Sequence, residues 1–163
     1  MQQLNLPPHS FKIKMESGKN LIFDEIRKRY VVLTPEEWVR QHFTAYLINE
    51  KKYPKSLIAN EITITLNWLK KRCDTLVYNR QGEIVMIVEY KAPEIAITQK
   101  VFDQIAVYNM RLKVRYLVVS NGLEHYCCRV DMVSEHSQTV SERSRTACYE
   151  FLTEIPYYEE VIK

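Results

Sequence analysis

A chain of 163 residues with 46% hydrophobic and 26% charged residues has the size and composition of one soluble globular domain, which excludes intrinsic disorder and fibrous architecture. No run approaches the roughly 20 apolar residues that span a bilayer, and residues 1–14 carry prolines and lysines where a secretory signal needs an apolar core, so no membrane partner and a cytoplasmic location are expected. The net charge of +3, from 23 basic and 20 acidic residues with no long basic stripe along the chain, is only weakly basic and by itself says little about nucleic acid.

In chain order, Phe11, Ile13 and Met15 alternate with lysines, and Ser17-Gly18-Lys19-Asn20 leads into Leu21-Ile22-Phe23, a small hairpin flanking the core. Thr34-Pro35-Glu36-Glu37 then reads as a helix start, with Thr34 as N-cap, proline at the first helical position and Glu37 as the reciprocal capping-box acid. Trp38, Val39, His42, Phe43, Tyr46 and Leu47 follow at helical spacing, and the helix stops before Pro54. Leu57–Leu66, Asp74–Tyr78 and Ile84–Lys91 read as a meander of three strands. Thr98–Leu112 reads as a second amphipathic helix, with Val101, Ile105, Tyr108 and Leu112 on one stripe. Val114–Ser120 is a buried-type strand, and Asn121-Gly122 turns it into Leu123–Val130. Ser134–Arg145 reads as a polar loop, and the aromatic tail around Phe151 and Tyr157 packs back. The order helix, three strands, helix, two strands predicts an α/β (α+β) fold, a mixed sheet flanked by helices. We divide the chain into a hairpin extension (1–33), a core (34–130) and a C-terminal loop and tail (131–163), all within one domain.

Cys73, Cys127, Cys128 and Cys148 show no metal-ligand or redox spacing, so buried free thiols are expected. The four histidines show none either, and none is assigned catalysis.

The chemistry sits on Ile84–Lys91. Alternate residues of a strand share a face, so Val85, Ile87, Glu89 and Lys91 point the same way, and two charges end an otherwise apolar face. Ionised groups there must be compensated by each other, by water or by a metal. If Gln81-Gly82 is the tip of the preceding hairpin, opposed residues have numbers summing to 163 and Asp74 faces Glu89. Opposed carboxylates repel. A divalent cation removes that cost, and Mg²⁺ prefers oxygen donors of this kind. Lys91, one step further, would then orient an attacking water and stabilise charge on a phosphoryl group. The plainer alternative is a solvated Glu89–Lys91 pair with Asp74 capping a turn.

Asp74 with Glu89-Tyr90-Lys91 after an apolar strand resembles the signature of the PD-(D/E)xK nuclease superfamily. Arg72-Cys73-Asp74, Val88-Glu89-Tyr90-Lys91-Ala92-Pro93, Gln104-Ile105-Ala106-Val107-Tyr108 and Ser120-Asn121-Gly122 together resemble the amino-terminal nuclease domain of type I restriction enzyme R (HsdR) subunits, from about Thr34 to Val130. Cys73 stands where the superfamily's name has proline. The resemblance implies a restriction-endonuclease-like fold, Mg²⁺-dependent (with Mn²⁺ substituting) hydrolysis of DNA, metal binding by Asp74 and Glu89, and service of the nucleophile by Lys91. It adds Glu37 as a third metal-site acid, against its capping role, and Gln104 and Tyr108 as a Q-x-x-x-Y pair that positions the site or meets DNA, against core packing for Tyr108. Lys70-Lys71-Arg72 either contacts phosphate or forms a solvated strand end. No Gly-rich phosphate loop follows, so any motor or specificity subunit is expected in another chain. The rival function is a DNA- or protein-binding accessory module of a restriction or repair assembly that keeps the nuclease fold without turnover.

Overall fold

The computed structural model describes residues 1–66, 69–134 and 145–162. Near the amino terminus β1 (Ile13–Glu16), β2 (Lys19–Asp24) and β3 (Arg29–Val32) form a small antiparallel sheet in that order. The first two are the expected hairpin. Strand β3 lies beyond it, returned by a turn in which the Asp24 carboxylate accepts the N–H groups of Ile26 (2.7 Å) and Arg27 (2.8 Å), an aspartate-nucleated turn that hydrophobic periodicity does not reveal.

Helix α1 (Pro35–Asn49) starts as expected: Pro35 opens it and Thr34 Oγ1 accepts the Glu37 N–H at 3.0 Å. The reciprocal half of the capping box does not form. Thr34 N–H donates to the Val32 carbonyl instead (3.1 Å), and the Glu37 carboxylate accepts from Arg27, Arg40 and Gln41, because two guanidinium donors offer charge-assisted bonds that one backbone N–H cannot match. Val39, Phe43 and Leu47 are fully buried, and so are Arg40, Gln41 and Thr44 on the polar side. That side is roofed by the amino-terminal segment: Ile26 packs on the core, and the Phe11 ring lies against Trp38 and His42.

The main sheet holds β4 (Ile58–Leu66), β5 (Leu69–Tyr78), β6 (Ile84–Tyr90), β7 (Tyr116–Ser120), β8 (His125–Ser134) and β9 (Arg145–Leu152), neighbours in space in their chain order. Each pair is antiparallel except β6–β7, which is parallel and is bridged by α2 (Gln99–Leu112), as a parallel pairing requires. On one face α1 buries Val39, Phe43 and Leu47 with Met86, Val88, Tyr90 and Val118. On the other, Val101 of α2 meets Leu76, Ile87, Leu117 and Val119. Cover on both faces explains why β6 and β7 read as continuous apolar runs. This is the expected α/β architecture.

The carboxyl-terminal part differs from expectation. Strand β8 continues to Ser134 and residues 145–152 add a sixth strand, paired from Cys127↔Leu152 to Ser134↔Arg145; the mixed polar and apolar composition of an edge strand hides it from periodicity. The remaining polar loop, 135–144, lies outside the described residues. In the aromatic tail it is Tyr158 that packs back, 4% exposed and edge-on to Tyr53 at 5.5 Å, whereas Phe151 and Tyr157 stay exposed. All four cysteines are free as expected, but Cys148 is exposed because it sits on that edge strand. Among the described residues no helix is long and apolar enough to cross a membrane.

The β7–β8 turn is longer than the two-residue turn expected: Asn121 Oδ1 accepts the N–H groups of both Leu123 and Glu124. Gly122 has φ +84°, its carbonyl accepts the Asn5 N–H at 2.7 Å, and a Cβ there would lie 2.7 Å from Leu4 Cδ2 and 3.1 Å from Val39 Cγ2. Gly122→Ala therefore combines a left-handed backbone penalty with overpacking and is expected to cost about 2–4 kcal/mol in urea unfolding. Adding Leu4→Ala should relieve the clash but not the backbone penalty, giving less than the sum of the two single losses; full additivity would show that Leu4 does not press on the turn.

Candidate functional site

Strands β5 and β6 pair Thr75↔Val88, Leu76↔Ile87 and Val77↔Met86, the register the hairpin geometry predicts, before a bulge between Val77 and Tyr78. The turn is closed by Asn79, whose Oδ1 accepts from Gln81 N (3.0 Å) and Glu83 N (2.9 Å). One residue beyond Thr75, Asp74 comes level with Glu89, and there the ladder passes to a side chain: Tyr90 N–H donates to Asp74 Oδ2 at 2.8 Å. Lys91 Nζ donates to Glu89 Oε1 at 2.9 Å. The Asp74, Glu89 and Lys91 side chains are 16%, 14% and 23% exposed, so they form a rim open to solvent at the end of β6. The Lys91 N–H donates to the Ser120 carbonyl (2.9 Å) and Asn121 Nδ2 to the Ile95 carbonyl (3.0 Å), which joins this rim to the Ser120-Asn121-Gly122 turn.

The like-charge conflict expected at Asp74 and Glu89 is met by a separate cation for each. Lys91 serves Glu89. Burial works against its charge, but the hydrogen bond and charge of Glu89 outweigh that and raise its pKa. Arg40 serves Asp74, with Nη2 3.1 Å from Oδ1. The same guanidinium reaches Glu61 Oε1 at 2.7 Å, Glu36 at 3.3 Å and Glu37, at a side-chain exposure of 3%, and its centre lies 5.5 Å from the Tyr90 ring. Here too burial opposes the charge, and Glu37, Asp74, Tyr90 and Glu36 together hold the pKa above its ordinary value.

Glu37 continues the network outward. It binds Arg27, Arg27 binds Asp24, and Asp24 Oδ2 accepts from Asn60 Nδ2 (3.2 Å), whose Oδ1 accepts from Thr75 Oγ1 (2.7 Å). Glu37 thus meets Asp74 through Arg40. Burial alone would raise the Asp24 pKa, but the Arg27 N–H, guanidinium and charge, with Asn60, bring it below the ordinary value.

Two members of this cluster, Arg40 and Glu61, escape the reading of sequence motifs. Arg40 follows Glu37 at a spacing that reads as a surface ion pair. Glu61 carried a usable signal: Asn60-Glu61 places two polar residues in succession where β4 otherwise alternates. Its φ of 58° and the skipped pairing between Asn60↔Thr75 and Ile62↔Cys73 turn it toward Arg40 and Arg72, a strained conformation of the kind that costs about 1–3 kcal/mol and is kept where surroundings enforce it. Within the expected basic run, Lys70 and Arg72 are exposed, and Arg72 pairs with Glu61. Gln104 and Tyr108 fall on α2 as expected, but their side chains lie outside the described residues.

No group of three or more His, Cys, Asp or Glu able to hold a metal occurs among the described residues. Asp74 and Glu89 offer what Mg²⁺ takes, a pair of carboxylates with solvent access for the waters that complete its shell, so the donor chemistry fits that ion.

Residues 35–156 match a family model described as the type I restriction enzyme R protein N terminus. The match runs from the start of α1 past the end of β9 and leaves out the small amino-terminal sheet. No curated protein matches the chain.

The network generates a stability prediction. Arg40→Met leaves Glu37, Glu61 and Asp74 short of a buried cation and is expected to cost about 3–5 kcal/mol in urea unfolding. Glu36→Gln removes only the half-exposed partner and should change stability by less than about 0.5 kcal/mol. Equal effects would show that burial does not set the weight of these pairs.

Proposed function

The chain belongs to the type I restriction enzyme R protein N-terminus family, and from that premise we propose that it is the nuclease-type domain of a restriction system, hydrolysing DNA phosphodiester bonds with Mg²⁺, or Mn²⁺ in its place, held by Asp74 and Glu89. The observation that carries this reading is the pairing of β5 with β6, which brings Asp74 level with Glu89 and sets Lys91 beside them. When bound, the metal supplies a water of lowered pKa and polarises a phosphate oxygen. The protein's own groups do the rest. The Tyr90 N–H and Arg40 fix the two oxygens of Asp74, so the carboxylate does not rotate. Lys91, held by Glu89, places an ammonium where charge develops on the phosphoryl oxygens. Glu37 acts through Arg40, by holding the guanidinium that orients Asp74. Gln104 and Tyr108, four residues apart on α2, position the DNA.

A second reading, a non-catalytic module that keeps the fold, is favoured by one observation: each of the two acids already contacts a cation without a metal, Asp74 the shared Arg40 and Glu89 the Lys91 ammonium. Calorimetry separates the two. Mn²⁺ binding to the parent is expected, with loss in Asp74→Asn and in Glu89→Gln while circular dichroism stays unchanged. Binding retained in both variants, or absent from the parent, selects the non-catalytic module.

The role of Lys91 is tested separately. Lys91→Met should slow cleavage of DNA at saturating Mg²⁺ by about 100-fold or more while Mn²⁺ affinity stays within about threefold. An unchanged rate removes Lys91 from the chemistry.

A further inference from the structure

The small amino-terminal sheet lies outside the matched family region, and the functional reading leaves it without a task. Its charge is distinctive. Residues 1–34 contain six of the 23 basic residues and three of the 20 acidic ones, which leaves seventeen of each in the rest, so this segment holds the whole net charge of +3. Of the six cations Arg27 is taken up by Asp24 and Glu37 and Lys28 pairs with Glu25, while Lys12 and Lys14 lie together on one face of the sheet, Lys14 beside Glu16 at 2.8 Å. The register Lys14↔Leu21, Leu21↔Val32 and Phe23↔Tyr30, with Phe23 N–H bonded to the Lys12 carbonyl, puts Lys12, Lys14, Leu21, Phe23, Tyr30 and Val32 on a common face. None of the apolar residues on it belongs to either core of the described residues, and Tyr30 and Val32 are 40% and 48% exposed. The Phe23 and Tyr30 rings meet edge to face at 5.2 Å. Lys14 Nζ lies 4.5 Å from the Tyr30 ring centre and Lys12 Nζ 5.6 Å from that of Phe23.

We propose that this face is a binding surface for single-stranded DNA, with bases stacking on Tyr30 and Phe23 and phosphates held by Lys12 and Lys14. Ammonium groups beside exposed rings are the two parts such a surface needs, since every base has a face to stack and every nucleotide a phosphate to neutralise. The rings select the single strand, because the bases of a duplex are stacked inside it and cannot reach them. A net positive charge confined to this segment, against a balanced remainder, provides complementarity to a polyanion. The face is also fixed relative to the candidate carboxylates. Asp24, at the end of β2, binds Arg27, and the contacts run on through Glu37 and Arg40 to Asp74, so a strand held here is held at a set position with respect to the rim. The inference rests on the nuclease reading only for the choice of DNA among polyanions.

The test is fluorescence anisotropy of a labelled 20-nucleotide oligothymidylate and of a 20-base-pair duplex, in EDTA and at several salt concentrations, with the full chain. The single strand should bind more tightly than the duplex. Tyr30→Ala should weaken it about fivefold or more with the salt slope unchanged, and Lys12→Gln with Lys14→Gln should lower the slope by about 1.4, all with unchanged melting temperatures because these side chains are exposed. No binding by the parent, a preference for duplex, or parental affinity in both variants overturns the proposal, as does recruitment to phosphatidylserine vesicles without oligonucleotide binding. Because EDTA removes any role of a metal, loss of binding in these variants with no Mg²⁺-dependent cleavage by the parent sinks the nuclease reading and leaves the face standing. Cleavage with unaffected binding does the reverse.

Discussion

The arrangement depends on one buried guanidinium. Arg40 leaves α1 and divides its donors among a helix acid, Glu37, a β4 acid, Glu61, and a β5 acid, Asp74. Taking such a charge out of water costs several kcal/mol, and one partner does not restore it. Three carboxylates from three elements do, so the cost of burying Arg40 is offset only when α1, β4 and β5 stand in their observed relation. Apolar packing of Val39, Phe43 and Leu47 would allow the helix to slide on the sheet by small amounts; a fork of directional, charge-assisted bonds would not.

The same contacts explain why the amino-terminal sheet, although outside the region the family shares, belongs mechanically to the rest. Its Asp24 is wholly buried and bonded to Asn60 of β4, which in turn is bonded to Thr75 of β5. The polar side of α1 is buried by the same segment. Removal of that roof would leave Arg40 and Glu37 facing water, where ion pairs contribute little.

How much could be read from the chain follows from which interactions are local. The start of α1 was legible because Thr34, Pro35 and the Glu37 N–H are near neighbours. The level position of Asp74 and Glu89 was legible because a short turn sets the register of its strands. Arg40 was not, since its significance is burial against Glu61 and Asp74, 21 and 34 residues further along the chain, and Glu61 was marked only by the broken alternation of β4. Strand β3 was hidden by its aspartate turn and β9 by its edge composition. Of the two readings of Glu37, the reciprocal cap fails for a related reason: capping geometry is local, whereas the competing partner Arg27 comes from the turn between β2 and β3.

The single parallel pairing in the main sheet carries a consequence for the order in which the protein assembles. Strands β5 and β6, which bear Asp74 and Glu89, are joined by residues 79–83, while β6 reaches β7 through residues 91–115. The entropy of closing a loop rises with its length, and pairings distant along the chain form more slowly than neighbouring ones. The two acids are therefore brought together by the hairpin, among the first long contacts the chain can make, whereas the turn at Ser120 that completes the rim arrives only after α2 has formed its crossover. The rim is built from its carboxylates outward, and a nascent chain extended to about residue 91 already holds every acid and guanidinium of the Arg40 network.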